Sequence, residues 1–596
     1  SSSNRTVLDI VSGRVEASPA ADAIVDDRRS SVLDFGGLEV LSDRIAGNIL
    51  KAGGTQGGTV TLLFDHGSEL PVATLGAMKA GCIATPIPSD TPSSRLGRLI
   101  HLAGSRILLT TASVLKATDI ATFEGEILIY EDIVERDVTD AAFPAVGEED
   151  PAYLLFTSGS TGDPKPVLMP HRALANLVAY EMNRSPSIGS GRCAQFQAVG
   201  FDSSLLEIFA SWGRSEALYP VPGHLRNDPM ELIDFLGRNR ISRIHLPPLM
   251  ARAMAGSARS IPDSVQEMIC TGEALRIDDS LRSAGRKSSF NLVNQYGPTE
   301  THVVTSLDLG SDPSEWPEIP DIGGPIDGVT VRIEDSEGRL VEQGRAGEIV
   351  IEGVMVGLGY LGEKTGGFEE QDGIARYRTG DVGRVLSSGR IEFLGRRDGQ
   401  VKISGFRVEP AEVEAAISEI QGVRDSAVVA ILDSGDARLQ AFVEGSDLES
   451  PAAMKQRLER LLPRWMVPSD IVRLDELPKT VSGKVDRKTL QGLAIASNRS
   501  KADTDASVDD PVIAAVYQSL PELGPLQLAP GRTLMDSGLD SLAAIRLQST
   551  LDRDHGVSMS VRSILVADPS VILDVMGSTS PDPRPDVSGS TTSVTP

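Results

Sequence analysis

Short apolar runs such as "VTLLF", "CIATPIP" and "RILLT" alternate with stretches of helical periodicity over residues 1 to about 394. That alternation predicts a large α/β unit. From "GRIEFLGRRDGQVKISGFRVEPAEVEAAI" onward the pattern changes to a hairpin-like turn, a helix and the strand-like "DSAVVAIL" and "LQAFVEG". Residues 395–495 therefore read as a smaller α+β unit. Residues 496–508, "ASNRSKADTDASV", hold almost nothing that could be buried and read as a linker. Beyond them "PVIAAVYQSL", "SLAAIRLQSTL" and "SVRSIL" have helical periodicity, which predicts a small all-α domain over 509–578. The Pro/Ser/Thr-rich 579–596 is expected to be disordered. No internal repeat is visible.

One stretch departs from simple alternation. In "YLLFTSGSTGDPKPVLMPHRAL" the apolar Tyr153 to Phe156 predicts a short buried strand, and the following Gly, Ser, Thr and Pro residues cannot continue it. Gly159 and Gly162 let backbone N–H groups approach an anion, Ser158, Ser160 and Thr161 add hydroxyl donors, and Lys165 adds a charge. This is the chemistry of a phosphate cradle. It is not a Walker A loop, because Pro164 and Lys165 break that spacing.

Composition narrows the classes. The chain has 596 residues, with 57 Lys plus Arg against 83 Asp plus Glu and a formal charge of −26. Such a balance opposes nucleic acid and anionic membranes, so an anionic ligand needs a local cradle. No run approaches a membrane span and no basic-then-apolar leader opens the chain, from which a soluble, cytoplasmic protein is expected. Cys82, Cys193 and Cys270 are scattered in apolar surroundings and read as reduced core residues. The seven histidines show no ligand spacing for zinc.

Further motifs join the loop: "NQYGPTETHVV" (Asn294 to Val304), "YRTGDVGRV" (Tyr377 to Val385), "GRRDGQVKISGFRVE" (Gly395 to Glu409), "LPRWMVP" (Leu462 to Pro468) and "SGKVDR" (Ser482 to Arg487). In order and spacing they resemble the adenylate-forming enzymes, including the adenylation domains of nonribosomal peptide synthetases, over residues 1 to about 495. "LMDSGLDSLAAIRL" resembles a peptidyl or acyl carrier domain, the Leu539 before Asp540 standing where peptidyl carriers commonly have Gly. The resemblance implies a large α/β adenylation subdomain, a small α+β subdomain and a four-helix carrier. It implies activation of a carboxylic acid by ATP and loading of the product onto phosphopantetheine.

Residue by residue, the resemblance implies that Thr157, Ser158, Ser160, Thr161 and Lys165 hold the β- and γ-phosphates, and that Glu300 ligates Mg²⁺. Pro166 stands where the family usually has Gly, so one backbone donor is missing. Gly272, Glu273, Asn294, Tyr296, Gly297 and Thr299 would surround the nucleotide, with Tyr296 stacked on adenine. Asp381 would accept both ribose hydroxyls, with Arg396 nearby; a carboxylate suits vicinal hydroxyls because it only accepts. Lys484 would offset charge repulsion between the acid and the α-phosphate, and Lys165 and Thr161 would assist. Asp398 would be the hinge between subdomains, Gly405 would leave room for a pantetheine tunnel, and Ser541 would carry the arm.

Asp202 of "GFDSSLLEIF" matches the aspartate that binds the substrate ammonium in amino acid-activating members. The rest of the acid pocket, carried over by motif, is Ser203, Leu206, His245, Ile269, Thr271, Gln295, Val303 and Val304. With no acidic or Lys/Arg group among them at the side-chain end, a neutral amino acid is expected, whether aliphatic, cyclic or amide-like. A phosphopantetheinyl transferase and further synthetase domains are the expected partners. Two readings stay open beside this one: the front end of a carboxylic acid reductase-type synthetase, and a non-catalytic adenylate-binding scaffold.

Overall fold

The computed structural model describes residues 6–120, 123–135, 142–158, 163–184, 191–257, 259–362, 366–397, 401–403, 406–433, 436–479 and 485–494; in the last segment it describes 533–535, 539, 544–545, 547–548, 550–552 and 557–578. Among them no helix is long and apolar enough to cross a membrane.

The apolar runs form the centres of two sheets. The first has seven strands in the order Gly359–Tyr360, Lys165–Pro170, Pro151–Thr157, Ile83–Pro88, Thr59–Phe64, Ile107–Thr110, Glu126–Ile129. Its five strands from Pro151–Thr157 to Glu126–Ile129 pair in parallel. Parallel strands need crossovers, which the intervening helices supply. The second sheet has nine strands, and its six parallel ones run in the order Asn291–Tyr296, Glu267–Cys270, Arg243–Leu246, Arg192–Gln195, Ala217–Pro220, Asp22–Asp26. One apolar core joins the two sheets, from Val60 and Leu155 through Leu206 and Phe209 to Cys193 and Leu218. All three cysteines are free and buried.

Helix boundaries follow local chemistry. Asp34 caps Phe35–Lys51 by accepting from the Gly37 N–H at 2.7 Å. Ser93–Ala103 stops at Gly104, whose φ of 62° lies in the left-handed region. The helix His171–Arg184 buries Leu174, Leu177, Val178 and Glu181, three and four residues apart, along one face. Three of these are ordinary core residues and the fourth is a carboxylate.

A third, antiparallel sheet (Val329–Glu334, Gly347–Gly353, Ile374–Val385 and Phe368–Gln371) carries Ile391–Arg396 on its long strand. That last ladder pairs Asp381 with Arg396. The small unit then has a hairpin (Val401–Ile403, Phe406–Val408), the helix Pro410–Ser418 and a three-stranded sheet (Val423–Asp433, Asp436–Gly445, Asp470–Leu474). Its own cores gather around Val413, Ile417 and Leu439, and around Phe442 and Leu477. An ion pair between Arg95 and Glu412, with side chains 13% and 3% exposed, ties it to the large unit.

In the last segment the helices Val561–Val566 and Pro569–Ser578 are described, and Leu534, Leu539, Ala544, Leu547 and Leu551 are buried. Asp228 anchors this segment. Its Oδ1 caps the helix Pro229–Arg238 through the Met230 and Glu231 N–H groups and also accepts from Gln548 Nε2 at 3.1 Å; Oδ2 accepts from the Val561 N–H at 2.8 Å. The expected linker 496–508 and tail 579–596 lie outside the described residues.

Candidate active site

The singled-out motifs sit at the carboxyl ends of the parallel strands, where open α/β sheets place their ligands. Thr157 ends Pro151–Thr157, His245 lies near the end of Arg243–Leu246, Thr271 and Gly272 follow Glu267–Cys270, and Asn294, Gln295 and Tyr296 end Asn291–Tyr296. Gly272 has φ 92°, which permits the sharp exit from its strand. Glu273 follows it and is half-buried.

Thr157 and Lys165 are directly paired across an antiparallel ladder. Both mark the mouth of the Gly/Ser/Thr stretch, whose Ser160 and Thr161 lie outside the described residues; Ser158 is buried at the same mouth. Pro166 pairs with Phe156. Lys165 Nζ lies 5.4 Å from the centre of the Tyr360 ring, and the Tyr360 hydroxyl donates to Glu300 Oε1 at 3.0 Å. Glu300 is fully buried. Gly297 precedes it at a close approach, where an added Cβ would overlap the His302 carbonyl oxygen. Thr299, half-buried, is adjacent to Glu300. A buried carboxylate is a hard oxygen donor of the kind Mg²⁺ prefers. Among the described residues no group of three or more His, Cys, Asp or Glu side chains could hold a metal ion, so any Mg²⁺ there would complete its shell with water and phosphate.

Asp381 is buried and doubly held: Tyr296 Oη donates to its Oδ2 at 2.5 Å, and Arg396 Nη1 donates to its Oδ1 at 2.5 Å. Burial, then the Asp381 charge, pushes the Tyr296 phenol well above its usual value, so it stays a donor. Asn294 Nδ2 donates to the Asp321 carbonyl at 2.9 Å.

Asp202, the first of the residues expected to line an acid pocket, stands at the start of the helix Asp202–Gly213. Its Oδ1 accepts from the Ser203 N–H at 2.7 Å, and its Oδ2 stands 4.0 Å from His302 Nδ1. Ser203 Oγ donates to Gln197 Oε1 at 3.2 Å. Further along the same helix, Glu207 accepts from the Phe196 and Gln197 N–H groups and so ties the preceding loop to the helix. Leu206, His245, Ile269, Gln295, Val303 and Val304 are buried, and Thr271 is half-buried. Strand alternation puts Arg243 with His245, Glu267 with Ile269, and Val293 with Gln295 on one face.

That face exposes what residue types alone did not signal. Gln295 Nε2 donates to Glu181 Oε1 at 2.6 Å, and Glu181 is fully buried. Glu181 pairs with Arg184 at 2.8 Å and Arg243 at 3.4 Å; Arg184 reaches Glu267 at 2.8 Å, and Glu216 lies 2.9 Å from Arg214 and 3.1 Å from Arg243. Three carboxylates thus face three guanidiniums. Burial pushes the Glu181 carboxyl up, but Arg184, His245 and Gln295 outweigh it and hold it below the usual range. Burial pushes His245 down to about 4. The helical spacing Leu174, Leu177, Val178, Glu181 is the sequence signal that could have found Glu181. His302 was also missed; its φ of 56° is unusual for a side-chain-bearing residue and turns the imidazole toward Asp202.

Lys484, Asp398, Gly405 and Ser541 lie outside the described residues. Comparison with known proteins extends the picture along the chain. Residues 12–361 match the model of the AMP-binding enzyme family. The chain belongs to that family. In this AMP-binding enzyme, residues 412–484 match the family's C-terminal domain and 512–571 match the phosphopantetheine attachment site. It is 30% identical over 577 residues to Gramicidin S synthase 2 of Brevibacillus brevis, covering 95% of this chain and 13% of the synthase. It is likewise 30% identical over 581 residues to Tyrocidine synthase 2 of Brevibacillus parabrevis, 95% of this chain and 16% of that one. The chain therefore spans only a small part of the length of these relatives.

Its fold is similar to that of holo-PA1221, described as a nonribosomal peptide synthetase protein containing adenylation and PCP domains bound to a vinylsulfonamide inhibitor. The TM-score is 0.78 at 22% identity, covering 97% of both chains. An artificially fused adenylation–PCP di-domain from Klebsiella oxytoca gives 0.69 at 22% identity, over 84% of this chain and 97% of that one. The AMP-binding enzyme is thus a large α/β unit, a smaller C-terminal unit and a carrier domain in series.

Proposed function

We propose that this chain activates an amino acid as its aminoacyl-adenylate and loads it as a thioester onto its own carrier domain, within a nonribosomal peptide synthetase. The observation that carries the reading is a set of three carboxylates, each with its own neighbours, at the positions the motifs singled out. Asp202 starts a helix with its Oδ2 4.0 Å from His302 Nδ1, Glu300 is braced by Tyr360 beside Lys165, and Asp381 is fixed by Tyr296 and Arg396. A half-buried carboxylate such as Asp202 is favoured by a cationic neighbour, and an α-ammonium group would supply one.

The substrate carboxylate attacks the α-phosphorus of ATP; a P–O bond forms, the bond to the β-phosphate breaks, and pyrophosphate leaves with the electron pair. The obstacle is repulsion between anions. Thr157, Ser158 and Lys165 would bind the departing phosphates with Ser160 and Thr161, and Asp381 would orient the ribose through its remaining acceptor capacity. Glu300 would hold Mg²⁺, whose charge offsets that of the phosphates. Lys484 would sit between acid and α-phosphate. Phosphopantetheine, installed on Ser541 by a phosphopantetheinyl transferase, would supply the thiol that takes the acyl group as the acyl–phosphate bond breaks and AMP leaves.

The test is ATP–pyrophosphate exchange over a panel of amino and hydroxy acids. Exchange with amino acids is expected, and Asp202→Ala is expected to reduce kcat/KM by ten- to a hundredfold, matching about 1.4–3 kcal/mol for a lost charged partner. Exchange confined to acids without an α-amino group would refute the assignment of Asp202.

A further inference from the structure

The face that seats the carrier segment lies at the carboxyl end of the nine-stranded sheet, beside the chain that leads to Asp202. The parallel strand Ala217–Pro220 ends with Pro220 paired to Gln195, and continues through the short 3-10 turn Gly223–Asn227 to Asp228. That turn is fastened to the approach to Asp202. Arg226 Nε donates to the Phe196 carbonyl at 2.8 Å with its guanidinium 5.4 Å from the centre of the Phe196 ring, and the next residue, Gln197, accepts from Ser203 Oγ. Each half of the seat is oriented by its own unit. Asp228 Oδ1 is held by the Met230 and Glu231 N–H groups at 3.0 and 3.1 Å. Gln548 Nε2 donates at 2.9 Å to the Met559 carbonyl of its own segment, which leaves its other N–H for Asp228 Oδ1 at 3.1 Å, and Oδ2 takes the Val561 N–H at 2.8 Å. Asp228, Gln548 and Val561 are 3%, 1% and 4% exposed, and Leu225, Leu232 and Leu236 belong to one apolar cluster with Leu547, Val561 and Ile564. Inside an apolar contact, a buried polar set adds little net attraction but makes a mismatched partner costly.

We infer that Asp228 is a selectivity residue for the carrier: it admits a carrier that presents an amide donor at position 548 and a backbone N–H at 561, rejects one with a carboxylate at 548, and serves acyl transfer rather than adenylation. The inference rests on the reading above, in which the chain loads its own carrier. In that transfer the thiol sulfur bonds the acyl carbon, the thiol proton is released, and AMP departs with the electrons of the broken acyl–phosphate bond. The carrier is needed at the large unit for this step, whereas forming the adenylate takes nothing from it. The seat lies where such a step requires, because Arg226 joins it to the chain approaching Asp202. A carboxylate at 548 would set acceptor against acceptor and charge against like charge, out of water. An apolar residue there would forfeit one hydrogen bond and leave the cap of Pro229–Arg238 as it is.

Two readouts on the full chain carrying phosphopantetheine test this: ATP–pyrophosphate exchange, and single-turnover thioester formation followed by intact mass. Asp228→Asn keeps an oxygen for the helix cap, since Asn caps as well as Asp, and turns an amide donor toward the Val561 N–H. Loading is expected to slow about tenfold while exchange stays within about twofold of wild type. Gln548→Glu, on the other side of the seat, is expected to slow loading about a hundredfold, and about tenfold or less when made in the Asp228→Asn background, where one of the two charges is gone. Such coupling separates a direct contact from general damage, for which the two effects would simply add. Unchanged loading in both single variants, additive effects, or exchange that falls in step with loading would overturn the inference. Faster loading in Asp228→Asn would make the seat a resting place and overturn it as well. A wild-type chain that supports exchange with no amino acid, or forms no thioester, would remove the underlying reading and this one with it.

Discussion

Tyr296 and Asp381, 85 positions apart, are joined by a 2.5 Å hydrogen bond in which the phenol donates to the carboxylate. The bond ties the end of a parallel strand of the nine-stranded sheet to the long strand of the antiparallel one. Tyr296 is therefore an orienting group for Asp381 as well as a candidate stacking surface. Tyr296→Phe keeps the ring and removes the donor. It is expected to raise KM for ATP by about five- to thirtyfold, about 1–2 kcal/mol, with a smaller change in kcat. Steady-state kinetics with ATP varied would show it, and an unchanged KM would mean that Arg396 alone sets the carboxylate.

The Arg95–Glu412 pair predicts a second effect. Burial pushes the Glu412 carboxyl up, and Arg95 pulls it back. Arg95→Ala strands a nearly enclosed acid, and breaking such a pair costs about 3 kcal/mol. Faster hydrogen exchange is expected across Pro410–Ser418, with little change in the strands around Val60. Uniform exchange throughout would show that the pair does not hold the units together.

Acid stability supplies a third. Burial lowers His171 and His245 to about 4, so both stay neutral in the folded chain while their unfolded counterparts take up protons below about 6.5. Their contribution is complete above 6.5 and is lost as pH falls from there toward 4, at about 3 kcal/mol for each. Glu216 works in the opposite sense. Burial raises it to about 7, so its contribution is present below about 4.5 and lost as pH rises toward 7, which offsets one imidazole. The net loss expected between pH 6.5 and 4 is about 3 kcal/mol. Denaturation midpoints that stay level from pH 7 to 4.5 would count against it.

Ser541 supports a prediction independent of the pocket. Incubation with coenzyme A and a phosphopantetheinyl transferase is expected to add one pantetheine to the intact chain, and ATP with the cognate amino acid is expected to add one thiol-labile aminoacyl group. Ser541→Ala is expected to lose both additions and keep pyrophosphate exchange. Mass spectrometry of the intact chain would expose a modification elsewhere.

Legibility followed the range of the interaction. The strand Tyr153 to Phe156 could be read because four adjacent apolar residues announce burial, and the α/β class because such runs recur between helical stretches. The strand Arg243–Leu246 defeats that logic, since it buries an arginine and a histidine that a polarity pattern would turn outward. Their burial depends on Glu181, Glu216 and Glu267, which come from other elements. Pairings such as Tyr296 with Asp381 are likewise set by sheet packing, and no local spacing encodes them. Asp202, Glu300 and Asp381 were singled out through motif. Of the residues that stand beside them, Arg396 was singled out in the same way, whereas His302 and Tyr360 needed the folded chain.

Asp228 accepts two N–H groups from its own helix and two donors from the carrier segment. Were this segment to leave, the carboxylate would keep its capping hydrogen bonds to Met230 and Glu231 and exchange Gln548 and Val561 for water. The cost of parting would fall on the segment's Val561 N–H, since Gln548 Nε2 keeps the Met559 carbonyl as a second acceptor 2.9 Å away, whereas Asp228 would still be held by its own helix.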